Sequence, residues 1–202
     1  SYMGLTLMEW CNRNIMNGKT EYIKEMYDIS LYLFENCQLK NDKNSYLNPN
    51  LFTQLVSTGC SLSKFDWVKK FIDENLKNIN PEYRDKFSNF ARLTLNFKMK
   101  NFDEAMYHLA KMEVNSQMDH VSVKRYQLMI YYESGYTDEL YSLIEAFRNF
   151  ISKNKKLADS VKQQAGKFFP GIPAQMKIHI PLHRYCIGCS RLITVPSGGC
   201  FS

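Results

Sequence analysis

The chain has 202 residues, 45% of them hydrophobic and 14% aromatic, with a formal net charge of +6. That apolar share excludes disorder along the whole length, and no apolar run approaches the roughly 18 residues that cross a bilayer. The charge excess is local: residues 1–159 hold 21 Lys or Arg against 20 Asp or Glu, a balance of +1, whereas 160–202 hold five basic residues and no acidic one. A near-neutral body with alternating signs reads as solvated helix faces, so nucleic acid is not the expected partner.

In chain order, the spacing of Leu5, Met8, Cys11 and Ile15 predicts a helix over 2–16, stopped by the Asn17-Gly18 pair. A second helix runs from Thr20 through Tyr22, Ile23, Met26, Ile29, Leu33 and Phe34, and the polar stretch 40–48 reads as a loop. Asn48-Pro49 starts the next helix, 49–59, with Asn as N-cap and Pro at the first helical position. It closes near Gly59, and 64–77 is its partner. Asn80-Pro81 repeats the start signal before a stripe of Tyr83, Phe87, Phe90, Ala91, Thr94 and Leu95. Asn101 with Glu104 predicts a capping box for helix 102–113. Asp119 caps a helix over 120–133 that ends at Gly135, and Thr137 caps a helix over 138–152. The stripe of that last helix is Leu140, Leu143, Ile144, Phe147 and Ile151, and a weaker amphipathic segment covers 156–165. Helices in pairs with short connections argue for an all-α, antiparallel arrangement.

A motif recurs at the entry to each second helix: Phe65-Asp66-Trp67-Val68, Phe102-Asp103-Glu104-Ala105, and Tyr136-Thr137-Asp138-Glu139-Leu140, where the apolar residue falls one place later. Its aromatics lie 37 and 34 residues apart, the period of stacked helical hairpins. Over about residues 46–152 the chain resembles tetratricopeptide repeats, with Phe102 and Ala105 at the aromatic and small-residue positions of helix B. The resemblance implies an α-solenoid over 1–165, with hairpins at about 2–37, 49–77, 81–113 and 120–152. It also implies a concave surface, lined by the first helix of each pair, that holds a peptide or partner helix. On that surface Asn89, Arg92 and Asn96 share a polar face, and 35 residues on stand Lys124, Gln127 and Tyr131. These six are the candidate partner-binding residues, and they also read as the solvated sides of amphipathic helices.

From Gly166 helical periodicity stops, leaving a Gly- and Pro-containing tail over 166–202. It holds His179, His183, Cys186 and Cys189 within eleven residues, side chains of the kind that ligate zinc, although so crowded a set leaves little support around an ion. No cofactor is expected for the body, and a zinc or nucleic-acid protein acting through the tail is the alternative reading. No nucleophile, phosphate loop or dinucleotide fingerprint occurs, so the chain reads as a non-enzyme. Cys11, Cys37 and Cys60 stand singly in helical segments as small core hydrophobes, which fits a cytoplasmic setting.

Overall fold

The computed structural model describes residues 2–37, 46–155, 157 and 162. Among them the elements are α1 (Tyr2–Met16), α2 (Tyr22–Cys37), α3 (Pro49–Ser61), α4 (Phe65–Asn75), a short 3-10 turn (Leu76–Asn78), α5 (Pro81–Lys98), α6 (Phe102–Ala110), α7 (Gln117–Glu133) and α8 (Thr137–Lys153). No strand occurs among the described residues, which form an all-α fold. Consecutive helices pack as α1 on α2, α3 on α4, α5 on α6 and α7 on α8. α3 also meets α2 and α5, and it is the centre of the apolar cluster it shares with α2, α4 and α5, with every residue from Leu51 to Cys60 buried. The two Asn-Pro starts act as read: Asn48 and Asn80 accept from the backbone N–H groups of Asn50 and Glu82 at 2.8 and 3.0 Å.

The connections within the four pairs are one structure repeated. In each, a residue with positive φ (Gly18, Ser63, Lys100, Gly135) follows the first helix. The next N–H then reaches back five residues: Lys19 to the Asn14 carbonyl (3.1 Å), Lys64 to Gly59 (2.9 Å), Asn101 to Asn96 (2.8 Å) and Tyr136 to Tyr131 (2.9 Å). The left-handed residue itself donates to the carbonyl three back, which completes a Schellman closure at each place. Set in register by these bonds, Val68, Ala105 and Leu140 are equivalent, each four residues beyond the donor and each buried. It is therefore the aromatic, not the apolar residue, that slips in the third unit: Tyr136 stands one place before the position of Phe65 and Phe102.

Several local expectations are corrected. Gly59 does not end α3; a Cβ there would lie 2.7 Å from Val68 Cγ2, so its lack of a side chain admits α4, and Ser63 takes the left-handed turn instead. Asn101 makes no side-chain cap bond, and its amide donates to Asn96 Oδ1 at 3.4 Å. The N-cap of α7 is Ser116: its hydroxyl accepts from the Asp119 N–H at 3.1 Å, while Asp119 Oδ2 accepts from the Ser116 N–H at 3.1 Å. Tyr136, not Thr137, is the N-cap of α8, and Tyr83 is exposed although the other five stripe residues of α5 are buried. Leu157, in the expected segment 156–165, is buried, whereas the rest of that segment, apart from Lys162, lies outside the described residues.

Candidate partner-binding surface

On α5, Arg92 donates to Asp73 of α4 at 2.8 Å, and Asn89 Oδ1 lies 3.2 Å from Nδ1 of His108 on α6. Asn96 turns its amide to the Arg92 carbonyl at 2.9 Å. All three are half-buried, and each spends hydrogen-bonding capacity inside the molecule. Burial, then the Arg92 charge, lowers the pKa of His108, which keeps the ring neutral at pH 7. Counting 37 residues back through the shared turn, the equivalents in α3 are Phe52, Leu55 and Gly59, all buried. Phe52 stacks on Phe71 of α4 at 5.4 Å, and Gly59 meets Val68. The face that carries polar side chains in α5 is thus the one through which α3 packs on its own partner helix.

On α7 the polar residues form a ladder: Lys124 donates to Gln127 Oε1 at 3.2 Å, and Gln127 donates to the Tyr131 hydroxyl at 3.0 Å. Gln117 and His120 continue the same face toward the helix start, at spacings of three and four residues. The His120 ring lies 4.2 Å from that of Phe150 on α8, tilted by 38°. Burial lowers the His120 pKa, and Lys124 adds to the effect. Gln117 Oε1 accepts from the amide of Asn154. An open groove of about 640 Å³ lies here, lined by Gln117, Asn149, Phe150, Lys153, Asn154 and Lys155. Sequence patterning missed this groove because its two sides are more than thirty residues apart and neither carries a local motif.

Among the described residues, no hydrogen bond or ion pair joins the α5 set to the α7 set. The two helices are linked elsewhere. Thr94 and Tyr126 hydroxyls lie 2.9 Å apart in the core. Lys86 Nζ approaches Asp119 Oδ2 at 3.3 Å, with the two side chains 13% and 2% exposed. The other Asp119 oxygen has no hydrogen-bond partner.

His179, His183, Cys186 and Cys189 lie outside the described residues. Among the described residues no group of three or more His, Cys, Asp or Glu stands ready for a metal ion, and no helix is long and apolar enough to cross a membrane. Fold and surface together define an all-helical protein with a polar helix face that runs into a groove. No protein-family model matches the sequence, and neither a curated protein nor a solved structure matches it.

Proposed function

We propose that the protein is a non-catalytic interaction scaffold, a tetratricopeptide-like α-solenoid in a cytoplasmic setting that docks a peptide or helix of a partner protein. The observation that supports this reading is the fourfold recurrence of one Schellman turn between paired helices, which turns the chain back in the same way in each unit. Repetition of that kind produces extended surfaces rather than a closed active site. Of the two candidate sets, the α7 ladder of Lys124, Gln127 and Tyr131 is the better placed, since it runs on toward the groove, while Asn89, Arg92 and Asn96 are tied to α4, α6 and their own helix.

Charge reversal tests the assignment. Arg92→Glu with Lys124→Glu weakens capture of the natural partner in a pull-down and leaves the helical circular dichroism intact. An unchanged set of captured proteins would overturn the choice of face.

A further inference from the structure

We infer that the groove between the start of α7 and the end of α8 docks an acidic, aliphatic peptide segment; this rests on the scaffold reading and names the chemistry of the partner. Phe150 supplies an apolar floor, backed by the His120 ring. Gln117 and Asn154 bond to each other along one side, and the Asn149 amide stands beside them, a donor and acceptor of the kind that satisfies an extended backbone. Lys153 and Lys155 stand at the rim, and neither forms an ion pair among the described residues. Among the described residues no carboxylate lines the groove. Lys124 adds a third cation on the same face of α7, close enough to depress the pKa of His120.

Charge narrows the occupant. The open groove of about 640 Å³ has room for a few side chains of a docked segment. Ammonium groups beside an apolar floor select glutamate or aspartate next to leucine-like residues, through charge-assisted hydrogen bonds. The chain's own tail is the wrong sign, since residues 160–202 hold five basic residues and no acidic one. Nucleic acid calls for a broad basic surface, and residues 1–159 balance to +1. Because each rim contact is solvated, the complex is modest in affinity and weakens with salt.

The test is fluorescence anisotropy of the full chain with a short labelled peptide of alternating Glu and Leu. Its Lys–Leu counterpart and a labelled single-stranded oligonucleotide serve as competitors for the assignment. The acidic peptide alone should bind, less tightly at high salt. Lys153→Glu with Lys155→Glu should weaken it about tenfold or more, a loss of about 1.4 kcal/mol. Should that variant melt early, Lys153→Gln with Lys155→Gln removes the charges without reversing them and gives the same reading. Failure of the acidic peptide to bind, equal binding to the variants, or preference for the oligonucleotide each overturns the inference. If Arg92→Glu with Lys124→Glu abolishes partner capture while the Lys153/Lys155 variant captures normally, the groove assignment fails and the scaffold reading survives. The reverse pattern keeps the groove and removes the α5–α7 face.

Discussion

The hydroxyl of Tyr126 lies 2.9 Å from that of Thr94, and both side chains are sealed in the core between α5 and α7. Thr94 gives its own proton to the Phe90 carbonyl at 2.9 Å, so Tyr126 is the donor across the interface. Phe90 and Phe97 meet the Tyr126 ring edge-on, at 6.2 and 6.0 Å. Tyr126→Phe keeps those ring contacts and loses one buried hydrogen bond, so it should destabilise by about 1 kcal/mol. Tyr126→Ala empties the site and should cost about 3–5 kcal/mol. Urea unfolding of the two variants separates the contributions; equal losses would deny the ring its packing role.

The four turns predict opposite signs for one kind of substitution. Ser63 and Lys100 hold φ of 57° and 62°, where a side chain is strained, whereas Gly135 holds 74° without that strain. Lys100→Gly and Ser63→Gly should each stabilise by about 0.5–1 kcal/mol. Gly135→Ala, whose Cβ would meet nothing within 4 Å, should destabilise by about 1 kcal/mol through backbone strain alone. Thermal melts of the three variants check the pattern, and a destabilised Lys100→Gly would contradict the turn geometry.

Gly59 is a glycine of a different kind. Its absent Cβ would press on Val68 Cγ2 at 2.7 Å and touch the Trp67 ring at 3.6 Å, and Val68 is fully buried with no room to yield. Gly59→Ala should cost about 1–3 kcal/mol by forcing α3 and α4 apart. Val68→Ala opens the space, so the double variant should lose clearly less than the sum of the single losses. Strict additivity in a double-mutant cycle would mean the two residues do not touch.

Alkaline titration reports on the seam around α3. Burial pushes the Cys60 thiol up from its ordinary 9.0 to about 12. Burial likewise holds Tyr126 protonated well above the usual phenol range. Both groups ionise first in the unfolded chain, so their contribution is complete below about pH 9 and declines as pH rises; for Cys60 the decline reaches about 4 kcal/mol by pH 12. Lys98 opposes it: burial lowers its pKa below 10.5, so the folded chain sheds that proton first and gains stability over that interval. Cys60→Ala should flatten the fall in unfolding free energy between about pH 8 and about pH 11. An unchanged slope would mean that Cys60 meets solvent.

Much of the fold is legible in local chemistry. Asn48-Pro49 and Asn80-Pro81 announce helix starts because cap and ring act on neighbouring N–H groups, and the stripe from Leu140 to Ile151 is buried as its spacing requires. What escapes the sequence are choices made by distant neighbours. Ser116 and Asp119 can each cap a helix, and the reciprocal bonds between them make Asp119 the third helical residue; that Lys86, thirty-three positions earlier, meets it there is not written locally. Gly59 reads as a stop, yet its smallness serves α4. Ser63 and Lys100 carry no mark of a left-handed backbone, so the turn they share is visible only through its hydrogen bonds. The polar spacing on α5 and α7 is readable in the same local way. That Arg92 spends its charge on Asp73, and that Gln117 shares a groove with Lys153, depends on which helices become neighbours.

The matching closures at Asn96–Asn101 and Tyr131–Tyr136 bracket one two-helix segment, 101–135. Excising residues 101–135 would join Lys100 to Tyr136 across a junction whose left-handed residue and back-reaching N–H are already the right kind. The chain would re-enter a helix on the same heading, with α8 in the berth of α6. The backbone therefore has the same joint on both sides of this two-helix segment, so its two ends differ in side chains and not in the way the chain turns.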